Sequence, residues 1–112
     1  MNEERKFKVL IVDDEDDIIG LLTLHLKMKR YDVLAATDGV KGLDVANKER
    51  PDIILLDVMM PGIDGIEVLR QIKSHPDQYD GVPVVILTNM VSDKVVKECL
   101  TLGASEYFVK TE

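Results

Sequence analysis

Cys99 is the one cysteine in 112 residues, so no internal disulfide can form. A lone thiol suits a reducing, cytoplasmic setting. No apolar run approaches the length of a membrane span, which excludes a spanning helix. The start, Met1-Asn2-Glu3-Glu4-Arg5-Lys6, carries charge where a signal peptide would carry its apolar core, so export is not expected. Tryptophan is missing and other aromatics are few. No repeat, low-complexity tract or linker interrupts the chain, and its length fits one domain with one core. Positive charge is also short. The net charge of −7 disfavours direct nucleic-acid binding, which rewards clustered Lys and Arg, and favours a cation or a basic protein surface. No glycine-rich nucleotide loop is present, so ATP is not the expected phosphoryl donor.

What is there is a set of short apolar runs, each ending in a polar group. Val9-Leu10-Ile11-Val12 ends in Asp13 and Asp14, and Ile53-Ile54-Leu55-Leu56 ends in Asp57. Val84-Val85-Ile86-Leu87 ends in Thr88, and Tyr107-Phe108-Val109 ends in Lys110. With a further strand over 31–36, these runs predict strands at 7–12, 31–36, 53–57, 83–88 and 106–109. Helices are predicted between them. Ile18, Leu21, Leu22, Leu26 and Met28 mark the first, over 15–29. The second begins near Asp38-Gly39, turns Val40, Leu43 and Ala46 inward, and stops before Pro51. Asp64 or Gly65 opens the third, with Ile66, Leu69 and Ile72, and His75-Pro76 closes it ahead of a loop over 77–81. Ser92 is the expected N-cap of the fourth, which carries Val95, Val96, Cys99 and Leu100 and stops at Gly103.

Nearly continuous apolar strands need cover on both faces, as crossover helices give a parallel sheet. The expected fold is therefore α/β: a doubly wound, flavodoxin-like parallel sheet of five strands in the order 2-1-3-4-5. All 112 residues form one domain, which stops soon after the fifth strand, with no fifth crossover helix to share a sheet face with the first. An apolar flank left open in this way predicts self-association through that face.

In this topology the carboxyl ends of the strands meet at one edge, where open α/β sheets place their sites. Asp13, Asp14 and Asp57 end the two strands flanking the switch point. Hard carboxylate oxygens suit Mg²⁺, which is usually held by one or two carboxylates and keeps several waters. Asp14 and Asp57 are suitable direct ligands, Asp13 can act through water, and the carbonyl of Met59 can supply a further oxygen. A carboxylate can also attack phosphorus and form an acyl phosphate, and Asp57 is the central candidate. Lys110 would then neutralise a second phosphoryl oxygen, and the Thr88 hydroxyl would hydrogen-bond the third.

Asp13-Asp14 after a strand, Asp57 followed by Met60-Pro61-Gly62 and Gly65, then Thr88, Tyr107 and Lys110: this ordered set resembles the receiver domain of two-component response regulators, over the whole chain. The resemblance implies phosphoryl transfer to Asp57 from the phosphohistidine of a sensor histidine kinase or phosphotransfer protein, with Asp13, Asp14 and Asp57 forming the Mg²⁺ pocket. It implies a switch in which Thr88 moves toward the phosphoryl group and Tyr107 turns inward, changing affinity for a downstream protein target. Such a protein catalyses only its own phosphorylation and dephosphorylation.

Two positions depart from the family pattern. Asn89 follows Thr88, where a small residue is usual, and Thr111 follows Lys110, where proline is usual. With the short C-terminus, they support a second reading: a non-phosphorylated, oligomerising scaffold, or a truncated or engineered receiver fragment. A third, an aspartate-nucleophile phosphatase, lacks its general acid, because Met59 stands two residues after Asp57.

Overall fold

Among the described residues, five short strands carry eleven of the twenty buried hydrophobic residues: β1 (Lys8–Val12), β2 (Asp32–Ala36), β3 (Ile53–Asp57), β4 (Val84–Thr88) and β5 (Glu106–Val109). They appear in a computed structural model that describes residues 6–58, 60, 65–79, 81–88 and 93–109. All four strand pairings are parallel and the order is β2-β1-β3-β4-β5, the predicted doubly wound topology.

The helices are α1 (Asp16–Met28), α2 (Gly39–Glu49), α3 (Gly65–Lys73), a one-turn α4 (Pro76–Tyr79) and α5 (Asp93–Thr101). Four of them are the predicted crossover helices. The extra turn, α4, falls where a loop was expected, because Pro76 initiates it: proline's fixed φ suits a first helical position. Among the described residues no helix follows β5.

Strand alternation divides the apolar residues between two faces. Leu10, Val12, Ile54, Leu56, Val84 and Ile86 form the main core with Ala46, Val68, Leu69, Ile72, Tyr79 and Cys99. Cys99 is thus a buried thiol within the packing, as its helical position suggested. Val9, Ile11, Val85 and Leu87 alternate to the other face and are buried as well, but Phe108 at its edge is 58% exposed. The helix α1 has no fully buried residue, and Leu21, Leu24 and Met28 are exposed on it.

One inward placement differs from expectation. Val40 is 64% exposed, and the buried residues of α2 are Gly39, Gly42 and Ala46. The reason is close approach: a Cβ on Gly42 would lie 2.8 Å from Cγ1 of Val12. The helix therefore meets the sheet along a glycine-alanine stripe, with Leu43 and Val45 packed partly buried against the core beside it. Its start is as predicted, with the Asp38 carboxylate accepting a 2.8 Å hydrogen bond from the Lys41 amide. Gly103, at φ +111°, ends α5 and frees the chain to enter β5.

Candidate phosphoacceptor site

The register brings the acidic residues together. Val12 pairs with Leu56, so Asp13 and Asp57, one residue further on, stand at the same level on adjacent strands. On the other side of β3, Asp57 pairs with Leu87, and Thr88 follows at the end of β4. Asp13 and Asp57 are 0% and 2% exposed, while Asp14 is exposed. Each of the three carboxylates has an oxygen within 4.8 Å of an oxygen of the others. Two unit negative charges at that distance repel by roughly 3 kcal/mol at an effective dielectric near 20, so the cluster favours a cation.

Local hydrogen bonds hold the acids in place. The Asp13 amide donates to the carbonyl of Ala36 at 3.0 Å, which ties the end of β1 to β2. Oδ1 of Asp13 accepts from the Glu15 amide at 2.8 Å and closes a tight turn into α1. That turn leaves Asp14 between two fixed points, facing solvent at the mouth of the cluster. An arrangement of two buried acids and one exposed acid, all offering oxygen, fits a hard divalent cation that retains water.

Gly65 sets the floor of the crevice. A Cβ there would lie 2.1 Å from the Asp57 carbonyl oxygen and 2.5 Å from Cα of Val58. The first turn of α3 therefore rests directly on the peptide that follows Asp57, and the Gly65 amide donates to the Val58 carbonyl at 3.3 Å. Sequence reasoning placed Gly65 at the opening of the third helix, and its backbone there needs no positive φ. Close approach is what requires glycine here, and only the strand–helix contact reveals it.

The other predicted site residues divide in two. The backbone of Thr88 pairs with Val109 across β4 and β5, while its side chain lies outside the described atoms. Tyr107 pairs with Ile86 and is 40% exposed, so its ring is not enclosed by the core. Met59 and Lys110 lie outside the described residues, as do Asn89, Ser92 and Thr111. Sequence reasoning missed Tyr79, which is buried; its hydroxyl donates to Oδ1 of Asn47, joining α4 to α2. The signal was one apolar-and-polar side chain two residues before Gly81, too slight to separate from a loop.

The model of the response regulator receiver domain matches residues 9–112. The Alkaline phosphatase synthesis transcriptional regulatory protein PhoP of Bacillus subtilis (strain 168) is 43% identical over 105 residues, 92% of this chain. This chain spans 42% of that protein's length. Among solved structures, chemotaxis protein CheY4 of Vibrio cholerae superposes with a TM-score of 0.89 at 33% identity, covering 96% of this chain and 89% of that one. A CheX–CheY–BeF3–Mg²⁺ complex from Borrelia burgdorferi gives 0.86 at 29% identity, covering 95% and 79%. Sheet order, acidic crevice and family match agree: the chain belongs to the response regulator receiver domains of two-component signalling.

Proposed function

We propose that Asp57 accepts a phosphoryl group from the phosphohistidine of a sensor kinase or phosphotransfer protein. One observation carries this reading: a nearly inaccessible Asp57 stands at the sheet edge with Asp13 and Asp14 close enough to share one cation. A carboxylate oxygen of Asp57 forms the new bond to phosphorus as the donor's P–N bond breaks. The electron pair leaves with the imidazole, which is protonated. Mg²⁺, when bound by Asp13, Asp14, Asp57 and the Met59 carbonyl, supplies the positive charge that offsets the phosphoryl oxygens. Lys110 pairs with a second oxygen and the Thr88 hydroxyl donates to a third. Tyr107 then reports the state of the site to a downstream protein, and the reaction takes place in the cytoplasm.

Transfer from a phosphohistidine donor tests this directly. The product should be labile to hydroxylamine, as an acyl phosphate is, and absent from Asp57→Asn. A hydroxylamine-labile phosphoryl group on that variant would reject the assignment.

A second reading, that copies associate through the open flank, has its own support. Leu21, Leu24 and Met28 of α1 and Phe108 of β5 are exposed apolar groups. Sedimentation across a hundredfold concentration range should show a reversible dimer that Leu24→Glu weakens. A monomer at every concentration would remove this reading and leave the phosphoacceptor role untouched.

A further inference from the structure

We propose that a recess at the C-terminal end of α1 binds small polyphosphate anions, at the sheet edge opposite Asp57. The recess is a half-open depression of about 520 Å³, lined by Lys6, Lys27, Arg30, Tyr31 and Asp32. Three cations face one acid there, in a chain whose net charge is −7. Its volume falls in the range of small-ligand sites, roughly 300–1,000 Å³.

The helix dipole explains part of this charge, since cations are favoured near a helix C-terminus. It does not explain the whole arrangement. Lys6 comes from the segment leading into β1 and is 3.9 Å from Asp32, so the cations converge from two separate parts of the fold. Arg30 lies past the end of α1, at φ +70°. Glycine meets that left-handed conformation without steric cost, whereas an arginine there is strained by its Cβ. The strained backbone carries the guanidinium to the recess wall.

Two of the terminal carbonyls of the helix, which would otherwise face an anion bare, accept hydrogen bonds from the turn that follows. Leu26 accepts from the Lys29 and Tyr31 amides and Lys27 accepts from the Arg30 amide, at 2.9–3.1 Å. Among the described residues Lys27 and Arg30 have no ion-pair partner, so both are available to phosphate oxygens. The ring of Tyr31 packs against Phe7, with centroids 5.6 Å apart, and gives the recess one fixed wall. Arg forks and Lys ammonium groups are the usual partners of phosphate. From Lys6 to Asp13 the extended chain spans about 20 Å, so a ligand here leaves the acidic crevice open. The inference is independent of the phosphoacceptor reading.

The test is a titration of ¹⁵N-labelled protein with pyrophosphate and, separately, with ATP, without divalent metal and at constant ionic strength. Amide shifts at Lys27, Arg30, Tyr31 and Asp32 should saturate. Lys27→Gln and the double variant with Arg30→Gln should bind about fivefold or more weakly, since each exposed charge pair contributes modestly. Lys27→Arg should restore binding, and added salt should weaken it. Equal affinities would assign the site to the phosphates alone, and tighter ATP binding would extend it to the nucleotide. Non-saturating shifts with both ligands, or an unchanged affinity in the folded Lys27→Gln variant, would overturn the proposal.

Discussion

Replacing Gly65 with alanine should disturb the site through the backbone alone. The added Cβ would stand 2.1 Å from the Asp57 carbonyl oxygen, 2.5 Å from Cα of Val58 and 2.8 Å from the Asp57 carbonyl carbon. Ordinary contact begins at 3.4 Å, so strand and helix must part by about 1.3 Å. None of the opposing atoms belongs to a side chain that can rotate away. Overpacking in a well-filled interior typically costs about 1–3 kcal/mol, and this case belongs at the upper end. The same displacement moves Asp57 relative to Asp13. A misplacement near 1 Å can slow a positioned reaction by about a hundredfold. Urea denaturation should show a loss near 3 kcal/mol, and phosphorylation by acetyl phosphate should slow at least tenfold in protein that remains folded. Gly20→Ala is the internal control: its Cβ meets nothing within 4 Å, and within α1 it should stabilise by about 0.5–1 kcal/mol. A Gly65→Ala protein with the midpoint and rate of the parent would refute the close-approach argument.

Other perturbations address separate parts of the account. Burial raises the Tyr79 hydroxyl above its ordinary value, partly offset by the Arg50 charge, so the unfolded chain loses this proton first as pH rises. Its contribution is complete below about pH 10 and declines above it. Tyr79→Phe should cost about 1 kcal/mol at neutral pH and flatten the alkaline decline; an equally steep decline would show that another group causes it. Lys110→Ala should keep Mg²⁺ affinity nearly intact but uncouple phosphorylation from any change at Tyr107, read by NMR; an unaltered response would remove Lys110 from the mechanism. If Asn89 shields the phosphoryl group, Asn89→Ala should shorten its lifetime several-fold, and equal lifetimes would end that idea.

The sheet was legible because each strand is a short apolar run with a polar terminus. Those termini, with the doubly wound topology, sufficed to bring Asp13, Asp14 and Asp57 into one cluster. Helix detail was less legible where glycine replaces a bulky contact. Val40 carries the apolar signal on α2, yet Gly42 is the residue pressed on Val12, and a glycine contributes nothing to a hydrophobic pattern. Pro76 misled for a related reason: it marks an end in the interior of a helix and a beginning at its first position. The recess at α1 was hidden because its cations come from Lys6 and from Lys27 and Arg30, about 20 residues apart, and register alone brings them together.

The central claim is that Asp57 is the phosphoacceptor and that a divalent cation in the three-acid cluster is required. Intact mass after incubation with acetyl phosphate, with and without Mg²⁺ and beside Asp57→Asn, tests both parts at once. The account predicts one added phosphoryl group, only with Mg²⁺ and only when Asp57 is present. Addition without the metal or on Asp57→Asn, or no addition to demonstrably folded protein, would contradict it.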